Sequence, residues 1–114
     1  MSKDDSVRLR HMLDAARQAM IFAKGKNRAD LDADLMLVFA MVKAIEIIGE
    51  AANQVTESTR ARVPELPWAD IIAMRHRLVH AYFDINLDIL WQTVQQDLPP
   101  LAEALEKVLQ REGK

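Results

Sequence analysis

The sequence predicts an all-α fold, and three observations carry that prediction. Only 3 glycines and 4 prolines occur in 114 residues, too few for the turns of a sandwich or barrel. Ala, Leu, Glu, Asp, Arg and Met dominate, and most of these favour helix. Apolar side chains recur at spacings of three and four over long stretches, the period of an amphipathic helix. Hydrophobic residues make up 50% of the chain, which excludes disorder and suffices for one core. The expectation is a single domain over residues 1–114, an up-and-down bundle of four to five helices with a long central second helix.

The first helix is predicted from about Asp4 to Lys24. Asp4, Asp5 and Ser6 supply a cap and first-turn acids. Leu9, Met12, Leu13, Ala16, Met20 and Ala23 form its apolar stripe, and Gly25 stops it. The second runs from about Ala29 to Glu57. After Asp34 its polar residues fall at Lys43, Glu46, Glu50, Asn53 and Glu57, one narrow stripe on an otherwise apolar helix. Such a helix is contacted on most of its surface. The stripe reads either as a solvent-facing seam or as the lining of a cleft or interface. Residues 58–67, with Pro64 and Pro67, read as a connector. A third helix starts near Pro67 and carries WADIIAMRHRLVHAY. Asp84 and Asn86 signal a fourth, through ILWQTVQQDL. Pro99 and Pro100 break or kink it, because the residue before a proline avoids the α region. A last helical piece covers about Pro100 to Gln110.

Several function classes are excluded or disfavoured at once. There is no cysteine, hence no disulfide, thiol chemistry or cysteine zinc site. Fifteen basic residues against 17 acidic give a net charge of -2, so duplex DNA is not gripped by charge alone. The start, MSKDDSVRLR, is charged where a signal peptide is apolar. The longest strongly apolar run, Leu35 to Val42, is far shorter than the roughly 20 residues of a membrane span. A cytoplasmic domain with no membrane association is expected.

The third helix carries the chemistry-bearing residues. On a wheel of 100° per residue, Trp68, Ile71, Ile72, Leu78 and Val79 form one apolar arc, and Arg75 falls in its middle. A guanidinium there is either a snorkelling structural residue, paired with Glu46 or Glu50, or an anion-binding group facing a cleft or subunit interface. His76 and His80 stand four apart, a spacing that can hold zinc. No Glu follows the first His, there is no Cys, and the only other histidine is His11, so no metal site is expected. Arg75, His80 and Tyr82 form R-x4-H-x-Y. Arg can clamp a phosphate through two parallel hydrogen bonds. His titrates near pH ~6.5 and moves protons at neutral pH. Together they are sufficient in kind to cleave RNA without a metal.

IIGEAANQV (Ile47 to Val55), VPELPW (Val63 to Trp68), MRHRLVHAYF (Met74 to Phe83) and LPPL (Leu98 to Leu101) occur in an order and spacing that resemble the HepT-like branch of the HEPN domain family, over about residues 6–110. The resemblance implies a metal-independent endoribonuclease toxin of a type VII toxin–antitoxin system, with no cofactor. Arg75 and His80 would be catalytic and His76 auxiliary, in a position where this branch commonly has Asn. Glu50 would be a supporting polar residue. Tyr82 would accept AMP from a minimal nucleotidyltransferase antitoxin, the partner that neutralises the toxin. The rival reading is a non-catalytic helical adaptor, a substrate-binding subunit for that nucleotidyltransferase. On an ideal helix Arg75 and His80 diverge by about 140°. A bend at the helix end, or two copies meeting on a two-fold axis, would bring them to one phosphate. The resemblance favours the second, a homodimer.

Overall fold

The computed structural model describes residues 1–81 and 84–112, with the backbone alone described at His80 and Ala81. Its helices are α1 (Lys3–Ala23), α2 (Asp30–Ala33), α3 (Leu35–Gln54), α4 (Glu57–Arg62), α5 (Trp68–Leu78), α6 (Leu87–Gln92) and α7 (Leu98–Glu112). A π-turn, Thr93–Asp97, joins α6 to α7, and a minimal antiparallel pair, β1 (Val79–Ala81) with β2 (Asp84–Ile85), joins α5 to α6. The all-α architecture is as the sequence predicts, but four to five helices become seven among the described residues, because the second is divided and the connector holds a further one.

α1 follows its predicted stripe. Leu9, Met12 and Ala16 are fully buried, and Gly25 ends the helix with a φ of 76°. The cap is one turn earlier than expected: Ser2, not Asp4 to Ser6, accepts from the Asp5 amide. The predicted second helix is split at Asp34, whose extended backbone (φ −124°, ψ 90°) lets its carboxylate accept from the Leu37 amide and cap α3. Asn27 and Asp30 exchange side-chain-to-backbone hydrogen bonds at the start of α2, so this corner is held by two caps. The expected connector holds a short helix, α4, because Thr56 accepts from the Thr59 amide as a further cap.

α1, α5 and α7 are arranged around α3 and one another in alternating directions. Asp5 of α1 meets Thr56 beyond the end of α3, Arg17 of α1 pairs with Glu106 of α7, and Gly49 of α3 faces Ile72 of α5. Met41, Ile45, Ile48, Ile71, Leu90, Leu98 and Leu105 lie fully buried between them. α3 departs from the expectation that it is covered on most of its surface. Leu35, Met36, Phe39 and Ile47 are exposed, Met36 at 84%, because among the described residues no other element covers that face.

Pro99 and Pro100 neither break nor sharply divide the last helical path. Leu98, before Pro99, is α-helical (φ −72°, ψ −38°), and its amide reaches back five residues to the Thr93 carbonyl. The wider turn takes up the missing amides and ring bulk that would strain a regular helix. The Thr93 hydroxyl also bonds the Ile89 carbonyl.

The start of α1 is pinned by a buried carboxylate. Asp5 is 1% exposed and accepts from the Thr56 amide, the Thr56 hydroxyl and the Thr59 hydroxyl at 3.2, 2.6 and 2.6 Å. Burial alone would raise its pKa. The hydrogen bonds from Thr56 and Thr59, with Arg8 3.6 Å away, outweigh burial and hold it below the ordinary aspartate value. A carboxylate lowered in this way stabilises the fold above about pH 4, and that contribution is lost as pH falls through its folded value. Asp5→Ala is expected to cost about 2 kcal/mol or more at pH 7 by orphaning the threonine donors. In urea denaturation the gap between wild type and variant should shrink at pH 3; a gap that stays constant would show that the carboxylate charge contributes nothing.

Candidate active site

The site is built where α5 crosses α3. Gly49 makes the close approach possible: a Cβ placed there would lie 3.6 Å from the Ile72 carbonyl oxygen and 3.7 Å from that of Ile71. An alanine methyl would just touch this backbone, and any longer side chain would push α5 away. One helical turn to either side of Gly49, along α3, stand Glu46 and Asn53. Together with Glu50, Ile72, Arg75 and His76 they line a shallow groove of about 180 Å³. Part of the polar stripe of the second predicted helix therefore lines a cleft. A larger cleft of about 610 Å³, between the end of α1 and the π-turn, contains none of the predicted site residues.

Arg75 sits at the edge of the apolar arc of α5, not in its middle. Ile71 and Leu78 are buried while the Arg75 side chain is 46% exposed, carrying its head out into the groove. Its Nε donates to Glu46 Oε1 at 2.8 Å. An ion pair this exposed contributes about 0.2–1 kcal/mol, so the structural and site readings of Arg75 coexist in one geometry. Glu50, the expected supporting residue, lines the same groove and makes no hydrogen bond among the described residues. His76 is exposed beside Arg75. Arg77, which follows, turns away to bond the Asp70 carbonyl at 2.6 Å. All three basic residues lie in the last turn of α5, where positive charge also complements the carbonyl end of the helix.

The third helix stops four residues short of its expected end. Val79 leaves the α region (φ −116°, ψ 107°), and the Asn86 amide bonds the Leu78 carbonyl at 2.7 Å. β-branched Val79 and Ile85 face each other in the pairing that follows, a context that suits them better than a helix. His80 thus lies on extended backbone in β1. The 140° offset of an ideal helix does not apply, and the bend at the helix end replaces one of the two reasons for expecting a second copy. Tyr82 lies outside the described residues. Among the described residues no group of three or more His, Asp or Glu side chains is arranged as a metal cage, and no helix is long and apolar enough to cross a membrane.

This groove, with Arg75 at a helix end and His80 just beyond it, coincides with a match to known proteins. The family described as ribonuclease HepT-like matches residues 12–108. The chain belongs to the HepT-like branch of the HEPN family. A protein provisionally named an RNase in Caldanaerobacter subterraneus subsp. tengcongensis is 34% identical over 91% of this chain and 93% of its own. A probable ribonuclease HepT of Thermococcus cleftensis is 39% identical over 69% and 72%. A provisionally named RNase of Methanocaldococcus jannaschii is 32% identical over 95% of this chain and 100% of its own. No solved structure matches the chain. The HepT-like resemblance read from the four sequence blocks is therefore correct.

Proposed function

We propose that this HepT-like protein is a metal-independent endoribonuclease toxin in which Arg75 binds the scissile phosphate and His80 transfers the proton. The observation that carries the reading is the placement of Arg75 with its guanidinium in an open groove, five residues before His80, in a chain that matches a ribonuclease family over residues 12–108. The RNA 2′-oxygen would attack the adjacent phosphorus as its proton is taken up. The bond to the 5′-oxygen then breaks and that oxygen receives a proton, leaving a 2′,3′-cyclic phosphate and a 5′-hydroxyl. Arg75 would stabilise the charge that builds on the phosphoryl oxygens, and His80 would serve one of the two proton transfers. His76, beside Arg75, would assist in holding the strand.

The active form in this reading is a homodimer. Support comes from α3, where Leu35, Met36, Phe39 and Ile47 present uncovered apolar surface on the helix that also supplies Glu46 and Glu50 to the groove. Exposed apolar patches of this kind mark association surfaces, and a two-fold interface is the commonest form.

Regulation would fall on Tyr82. A minimal nucleotidyltransferase partner would form a bond from the tyrosine oxygen to the α-phosphorus of ATP, releasing pyrophosphate and the hydroxyl proton. The added phosphate, about one negative charge close in sequence to the motif, would compete with RNA for the cations of the groove.

Arg75→Ala and His80→Ala are each expected to lower RNA cleavage by about 10²-fold or more, as removal of an electrostatic or proton-transfer group does. Helical circular dichroism should be unchanged, and EDTA should have no effect on the wild type. A wild type that cleaves no RNA yet binds a nucleotidyltransferase would favour the adaptor reading, which the net charge of -2 also suits.

Static light scattering at micromolar concentration is expected to give twice the 13.0 kDa chain mass. Met36→Asp with Phe39→Asp should return the protein to monomer.

Incubation with the partner nucleotidyltransferase and ATP should add AMP to wild type but not to Tyr82→Phe, read by mass spectrometry. AMP on another residue would place the switch elsewhere.

A further inference from the structure

We infer that Glu46 is a positioning residue for Arg75, selecting which edge of the guanidinium meets the RNA phosphate. The inference rests on the ribonuclease reading of the groove. Arg carries five N–H donors: one on Nε and two on each terminal nitrogen. A phosphate is clamped through a pair of them, either side-on, using Nε and one terminal nitrogen, or end-on, using both terminal nitrogens. Glu46 Oε1 occupies Nε at 2.8 Å, so the side-on fork is taken. Among the described residues the two terminal nitrogens have no hydrogen-bond partner, and the end-on fork is the one offered to the strand.

The placement of Glu46 suits this role. It stands on α3, with Ile45 and Ile48 on either side of it and Ala52 further along fully buried. Its side chain is 24% exposed against 46% for Arg75, so the anchor is more enclosed than the group it anchors. Gly49, one turn along, keeps α5 close enough for the contact. Arg75 is on the last turn of α5, immediately before the backbone turns into β1. A long flexible side chain at a helix end would otherwise sample many rotamers, and a tether at Nε fixes the plane of the fork. Glu50 is one turn further from this contact on the same helix face, lines the groove, and does not reach the guanidinium among the described residues. The sequence leaves Glu46 and Glu50 open as partners of Arg75; the structure assigns Glu46.

Two variants separate orientation from charge. Glu46→Gln retains a side-chain oxygen that accepts from Nε, and Glu46→Ala retains nothing. Cleavage of a short single-stranded RNA should show kcat reduced about 10–100-fold in Glu46→Ala, the scale of a misplaced binding group, with KM changed less than about threefold. Glu46→Gln should recover most of the loss. The Arg75 Nε–H signal in ¹H–¹⁵N spectra should be sharp and slowly exchanging in wild type and Glu46→Gln, and exchange-broadened in Glu46→Ala. Glu46→Ala matching wild type in kcat would overturn the positioning role while leaving the ribonuclease reading intact. So would Glu46→Gln as impaired as Glu46→Ala, or a Glu46→Ala variant that binds and cleaves RNA better because a competing carboxylate has gone. Wild type that cleaves no RNA would overturn the ribonuclease reading and this role with it, even with the Nε–H signal protected.

Discussion

Burial of apolar side chains along α3 is the constraint to which the other helices answer. Met41, Ile45 and Ile48 are completely enclosed, and at about 1.5–3 kcal/mol each these three alone are comparable with the whole net stability of a small domain, about 5–15 kcal/mol. α1 lies along one side of this helix, bringing Leu9, Met12 and Leu13 into the same core, and α5 lies along another. α5 can come close, since at Gly49 no side chain keeps its backbone away. The same close crossing that completes the core brings Arg75 within reach of Glu46. Site and scaffold are thus one packing event seen from two sides, and a substitution that separates α3 from α5 disturbs both.

The parts of the fold that were legible in the sequence are those dictated by a long period. The stripe of α1 needs only Leu9, Met12, Leu13 and Ala16 to be read, and Gly25 to end it. The parts that were not legible depend on single local contacts. Asp34 interrupts a run that hydropathy alone would carry through, because its carboxylate prefers to cap Leu37. α4 exists because Thr56 caps it and because Arg60 bonds the Ala52 and Asn53 carbonyls at the end of α3 while lying 5.8 Å from the Trp68 ring centre. All three partners lie across a break in helix from Arg60, so no helical period running through the chain connects them.

The site shows the same division. Arg75 and His80 are visible in the sequence as a motif, and Glu46 as one of three acids on a polar stripe. What the sequence could not show is where α5 ends. Treated as one helix, the motif diverges by about 140° and calls for a second copy to repair it. With the helix ending at Leu78 and the Leu78 carbonyl taken by the Asn86 amide, that repair is partly local. The choice was made by a backbone hydrogen bond to a residue eight positions away, which no wheel contains.

The π-turn before α7 bears on which changes of length this chain can absorb. Leu90, Val94, Leu98, Leu101, Leu105 and Val108 are all buried, yet they are spaced four, four, three, four and three. On a regular α-helix two successive steps of four drift by about 80°, enough to turn Val94 or Leu98 out of line. The wide turn at Thr93–Asp97 absorbs that drift and keeps both ends of the helical path in phase with one core. Identity at the exposed positions Gln95, Gln96 and Asp97 is not constrained by the core. Loss of one residue there would close the wide turn into regular helix, with Leu90 and the present Leu98 seven apart and within about 20° of one face. Gain of one residue would rotate the whole of α7 by about 100°, trading its leucines for its glutamates at the surface of α1. Deletion and insertion are held to very different standards within the same five residues.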